Sequence, residues 1–211
     1  MYRPARFDMP ALELCHEFME RESFATLVSA QLTTAGPAEP LASHVPLYLD
    51  RDRGERGTLF GHLAAPNPHC AVLEAGSALA VFSGPHAYVS PRWYQRDDLV
   101  PTWNYVAVHA YGTPRILQSA EDKSRVLREL SARFEPAAGG WTPDAMPEGR
   151  FDAMLKGIVA FELPIERLEG KAKLTQDKAR PDFDGAVTAL SGSDDQDARA
   201  TAEWMQRLRR D

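Results

Sequence analysis

Between Phe24 and Leu117 the chain comes in short apolar and β-branched runs, each closed within a few residues by glycine, proline, asparagine or aspartate. Phe24, Thr26 and Val28 alternate with Ala25, Leu27 and Ser29, the period of two expected of a strand with unlike faces. "TTAGPAEP" is a turn cluster. "LASHVPLYLD" is a second strand, in which Pro46 implies an edge, a bulge or a break because it has no N–H for a ladder. After the polar turn "RDRGERG" come "TLFGHLA", "GSALAVFSG", "HAYVS" and "NYVAVHAYGTPRIL", all of strand character, with "APNPHCAVLE" starting a short helix capped by Asn67. Strands that follow one another through short turns pair antiparallel. The regular strand–helix alternation of a doubly wound parallel sheet is absent.

The period changes at both ends. Asp8 and Pro10 suit a helix start, with Ala11, Leu14, Cys15 and Phe18 at helical spacing to about Arg21. Ser119 with Asp122 resembles a capping box before "SAEDKSRVLRELSARFE", whose Val126, Leu127, Leu130 and Phe134 share a face. "RFDAMLKG" is a short helix. "IVAFELPIERLEGKAKL" returns to strand character, and "DDQDARATAEWMQRLRR" is a last helix, acidic first and basic last as the macrodipole prefers. "SGSDDQDARA" reads as the loop before it. The fold class is therefore α+β: a mainly antiparallel β-barrel with flanking helices, one domain over 1–211 with an N-terminal helix and a C-terminal helical extension. The 211 residues suffice for its core.

The formal net charge of −6 disfavours unspecific attraction to nucleic acid or to an anionic membrane. The first residues lack the apolar run of a signal peptide, and no stretch approaches the roughly 20 apolar residues of a membrane span. Two cysteines without a CxxC spacing fit a cytoplasmic location and give no metal framework. His62 and His69, with Cys70, lie close in sequence but lack a ligand spacing, so hydrogen bonding to backbone or to a ligand is their expected role. There is no GxSxG elbow, P-loop or GxGxxG fingerprint.

Two stretches carry more information. "FSGPHAYVSPRWY" and "VPTWNYVAVHAYG" hold seven aromatics besides histidine, interleaved with glycine and proline. Such residues suit a planar heteroaromatic ligand, a subunit interface or a packed barrel mouth. "GKAKLTQDKARPDFDG" is basic. Its Lys171, Lys173 and Lys178, with Thr175 and Gln176, are candidates for an anion, against the plainer reading of a solvated strand end and helix start.

In order along the chain, "MYRPARF", "FATLVS", "ASHVPLYLD", "GHLAAPNP", "AVFSGPHAYVSPRWY", "VPTWNYVAVHAYG" and "KAKLTQDK" resemble the PaiB-type family of FMN-binding negative transcriptional regulators. The resemblance implies an FMN-binding split barrel, related to the pyridoxamine-phosphate-oxidase-like proteins, and a homodimer with two flavin sites at its interface. It puts the ribityl-phosphate along Gly61, His62, Leu63, Ala64 and Asn67. The isoalloxazine lies near Phe82, Ser83 and Gly84. The partner contributes Thr102, Trp103 and Asn104, together with Lys173, Thr175 and Gln176. The chain departs from the family pattern at Ala65, where a basic residue is common, and at Asp177. The family name implies regulation, although acidity and the lack of a helix-turn-helix speak against direct DNA contact. The competing readings are a flavin-dependent oxidoreductase, with His62, His86 or His109 as proton donors, and a flavin-free dimeric interaction module.

Overall fold

The computed structural model describes residues 1–31 and 36–209, so the first three residues of the turn expected at "TTAGPAEP" lie outside the described residues, and its last two, Glu39 and Pro40, belong to a strand. It contains nine strands and five α-helices among those residues, the strands antiparallel wherever their register is defined. They divide into two compact units, each described here by itself.

The first unit comprises residues 16–82 and 109–168. Strand β1 (Phe24–Gln31) pairs along its whole length with β2 (Glu39–Pro46), from Phe24 opposite Pro46 to Gln31 opposite Glu39. Its other edge takes the first part of β5 (Ala78–Val89), with Leu27 opposite Ala80. Pro46 ends β2, and the chain resumes as β3 (Tyr48–Asp50) in a second sheet ordered β3-β4-β8-β7, so the expected break occurs. Here β4 (Thr58–Ala64) pairs with β8 (Ile158–Pro164), and β7 (Arg115–Leu117) borders β8. Helix α2 (Ala120–Phe134) opens as the sequence requires: Ser119 Oγ accepts from the Asp122 backbone N–H at 3.0 Å. Val126 and Leu130 then join Tyr48, Phe60 and Ala160 in a core cluster. Phe134 is a correction: it stands exposed one turn beyond the buried face. The short α3 (Arg150–Leu155) follows.

The second unit comprises residues 1–15, 83–108 and those from 169 on. It takes the second half of β5, most of β6 (Thr102–Gly112) and the end of β9 (Arg167–Lys173), in the order β5-β6-β9. Helix α1 (Leu12–Arg21), of which this unit holds the first four residues, starts later than expected, because Asp8 does not cap it. Asp8 instead forms a bridge with Lys171, and Met9 N–H donates to the Gly170 carbonyl, which holds this segment against β9. Two helices complete the unit, α4 (Arg180–Ser191) and α5 (Gln196–Arg207). The first starts inside the basic segment, where the plainer sequence reading has a helix start. The second starts inside the stretch read as a loop, with Asp195 as its cap. Phe183, Ala186, Leu190, Ala202, Trp204 and Met205 are buried along them. No helix among the described residues is long and apolar enough to cross a membrane.

Candidate functional site

Strand β4 and the turn after it position the first group of candidates. Gly61 is buried opposite Phe161, and an added Cβ would stand 2.5 Å from a Leu47 methyl and 3.3 Å from the Pro46 carbonyl oxygen. Only glycine fits that approach. Leu63 points into the core and Ala64 is exposed, as strand alternation dictates. His62 is half-buried, and its Nδ1 has no hydrogen-bond partner among the described residues. Burial lowers its pKa, so the ring is held neutral.

The turn closes through the Ala64 carbonyl, which accepts from Asn67 N–H at 2.9 Å. Asn67 then caps a single 3-10 turn, its Oδ1 accepting from His69 N–H at 2.9 Å. Its Nδ2 donates to Ser43 Oγ at 3.1 Å, and Ser43 Oγ lies 3.0 Å from His69 Nδ1. A donation chain running Asn67 to Ser43 to His69 leaves His69 with its proton on Nε2. That atom is buried and also lacks a partner among the described residues, and burial lowers the pKa of His69 too. Sequence reasoning missed Ser43. The only signal was its place beside a histidine in a strand bordering the turn.

Phe82 is a fully buried core residue, which leaves only its backbone for a ligand. Ser83 is exposed, and the Gly84 carbonyl lies 3.4 Å from His86 Nδ1.

The second unit gathers the remaining candidates into an interlocked group. Asn104 is fully buried; its Nδ2 donates to Thr175 Oγ1 at 2.8 Å, and that hydroxyl lies 3.0 Å from Asn104 Oδ1. Thr175 is buried at φ 65°, a left-handed backbone that a β-branched residue adopts only when its surroundings impose it. Gln176 clamps the same turn, accepting from Leu174 N–H at 2.7 Å and donating to the Ala172 carbonyl at 2.6 Å. Lys173 Nζ donates to Thr102 Oγ1, and to the Trp103 carbonyl at 2.6 Å. The Lys173 pKa is lowered by burial, so a nearby anion would relieve a charge that the protein now penalises. Trp103 is 54% exposed. Lys173, Thr102, Asn104 and Thr175 border a cavity of about 190 Å³, with Asp98 and Asp177 also at its wall. Asp177 lies 3.5 Å from Lys178.

A flavin mononucleotide needs partners for a polyhydroxyl chain and a countercharge for its phosphate. The unpaired, neutral imidazole nitrogens of His62 and His69 suit the first need, and Lys173 suits the second. The start of the 3-10 turn offers less than its sequence suggested, because Asn67 itself already accepts from the His69 amide.

The family model described as "Putative FMN-binding domain" matches residues 1–167. Protease synthase and sporulation protein PAI 2 of Bacillus subtilis is 31% identical over 209 residues, covering 98% of this chain and 97% of the relative. An uncharacterized protein of Saccharomyces cerevisiae is 33% identical over 150 residues, covering 62% of this chain and 86% of that protein. Among solved structures, the flavocytochrome Anf3 of Azotobacter vinelandii superposes with a TM-score of 0.58 at 13% identity, over 79% of this chain and 69% of that one. A conserved hypothetical protein of Mycobacterium tuberculosis gives 0.54 at 13% identity, over 85% and 95%.

Proposed function

We infer what this protein does from its kinship: it belongs to the PaiB-type family of FMN-binding proteins, with the antiparallel, helix-flanked fold of the FMN-binding split barrels. FMN is the cofactor of that family. The observation that carries the reading at residue level is the buried, unpaired nitrogen of His62 on the strand where the ribityl-phosphate is expected. His62 and His69 hold neutral imidazoles toward the cofactor, and the Asn67–Ser43 pair fixes the turn between them. In a homodimer, the second copy supplies Trp103 and Lys173, whose side chains reach solvent, while Asn104, Thr175 and Gln176 hold those two in place.

When bound, the flavin supplies redox and light-absorbing chemistry that no side chain offers. The chain uses it for regulation, a reading supported by the kinship with the sporulation protein of Bacillus subtilis. An acidic chain has little attraction for DNA phosphates, so the regulatory signal passes through a small molecule or a protein partner. A cytoplasmic place suits the two free thiols, of which Cys15 is pushed up to about 11 by burial and is inert. A redox enzyme is the second reading, favoured by the neutral His62 ring as a hydrogen-bonding group beside the cofactor.

The test is visible absorbance of the purified protein before and after adding FMN, with the released cofactor identified. Retained FMN, weakened in Asn67→Ala and Lys173→Ala and strengthened in Ala65→Arg, is the expected result. Unchanged affinity in all three variants would sink this placement of the phosphate. Steady NAD(P)H oxidation by the loaded protein would favour the enzyme. A gel shift with a steep salt dependence would restore direct DNA binding.

A further inference from the structure

The second unit holds a cleft of about 410 Å³, within the range of small-molecule sites. One wall is aromatic: His86 and Tyr88 of β5, Trp103 of β6, and Trp93 of the turn between them. The rest of the lining comes from the end of α4, the α4–α5 turn and the start of α5, which bring Asp195 and Asp197. Among the described residues, no lysine or arginine lines it.

We infer that this cleft binds a small ammonium cation. The ring geometry comes first. Tyr88 meets Trp103 edge-on at 6.0 Å and 74°, and His86 lies 6.1 Å from Trp103. Trp103 and Tyr88 are 54% and 47% exposed. Scattered exposed aromatics are ordinary, but several lining one cavity mark a surface that something covers. Aromatic rings and carboxylates lining one cleft are the groups that hold an ammonium cation.

Charge decides between occupants. Both aspartates sit at the start of α5, where acidic residues are common for another reason. Asp195 Oδ1 accepts from Asp197 N–H at 2.9 Å and so caps the helix. The helix end carries only about half a positive charge, against two full negative ones, so the field in the cleft stays negative. The Asp197 carboxylate has one ionic neighbour among the described residues, His86 Nδ1 at 4.0 Å. Arg199, on the same helix, donates to the Ser193 carbonyl at 2.7 Å. An anion is repelled here. A neutral ring would cover the carboxylates without pairing them.

The cleft shares Trp103 with the proposed flavin site but extends beyond it. Helices α4 and α5 lie beyond residue 167, where the family match ends, so half of the cleft comes from outside the matched FMN-binding region.

The experiment is a tryptophan-fluorescence titration of the full chain at constant ionic strength, with and without FMN, using choline and n-propylammonium as probes. The control is 3,3-dimethylbutanol, the uncharged isostere of choline. Saturable binding of at least one cation, about tenfold tighter than the isostere, is the expected result. It should weaken about fivefold in Asp197→Asn and vanish in Trp103→Leu, with the circular dichroism spectrum unchanged. Asp195→Asn keeps the cap, so it tests the charge without unravelling α5. Equal binding of the isostere would overturn the inference in favour of an apolar pocket. A signal that follows protein concentration rather than probe would overturn it in favour of a second copy. No saturation with either cation would overturn it outright. FMN binding is read separately by flavin absorbance: Asp197→Asn, outside the flavin candidates, should leave it unchanged, whereas Trp103→Leu should weaken it as well.

Discussion

The β4 segment from Gly61 to His69 and the interlocked pair "PTWN" and "KLTQ" both stand among the flavin-site candidates, yet their polar groups behave oppositely. In the first, two buried imidazole nitrogens lack any partner among the described residues. In the second, Asn104 and Gln176 use both ends of their amides within the protein, and Lys173 donates to two oxygens. The first arrangement is completed only by something that comes from outside. In the second the amides are already spent and work as a latch, while Lys173 keeps the third of its N–H donors for an anion. A polar residue in a suggestive motif is thus no guide to ligand contact until its partners are counted.

The largest test of that contrast is Asn104→Ala. It leaves Thr175 Oγ1 buried without its partner and should cost about 2–4 kcal/mol, read as a lower urea midpoint. An unshifted midpoint would mean that the latch carries no stability. His62→Phe should do the reverse. It removes a buried, unpaired nitrogen, so stability holds or rises, while FMN affinity falls about tenfold by flavin fluorescence. A loss of stability comparable to that of Asn104→Ala would erase the distinction between the two regions.

The smallest effect is in pH. Burial holds His62 and His69 below their ordinary value of 6.5, so the unfolded chain takes up their protons first as pH falls. The stability tied to their neutral rings is full above about 6.5 and drains away below it. The double variant His62→Gln with His69→Gln should flatten that acid limb in urea melts. A limb as steep as the parent's would assign it to other groups.

Much of the fold was legible because alternation and turn residues are local signals. The misreadings occurred where distant groups decide. The "GP" inside β5 suggested two strands, yet the strand is continuous. Pro85 lies beyond Leu79–Val81, the part paired with β1, so its missing N–H breaks no bond of that ladder. "NYVAVHAYGTPRIL" suggested one strand but separates at Thr113–Pro114 into strands of different sheets. Helix α4 has Pro181 and Asp182 in its first turn, where both suit a helix start, but carries Gly185, a poor helix former, in its interior. The structure shows their use. Buried Asp182 accepts from Gln95 N–H at 2.7 Å, and Gly185 lets the Trp93 carbonyl come to 2.1 Å from where a Cβ would stand. The site was legible as segments, not as contacts: nothing local to "PTWN" reveals that its asparagine faces a threonine 71 residues on.

That separation has a consequence for how the chain is made. Asn104 leaves the ribosome 71 residues ahead of Thr175. At common synthesis speeds of about 5–20 residues per second, the wait is roughly 4–14 s. Through that interval the start of β6 has no latch, because the threonine that closes it has not yet emerged. Closure of this unit is therefore a late, post-strand event. A nascent chain stalled before residue 175 exposes an amide that the finished protein never shows to solvent.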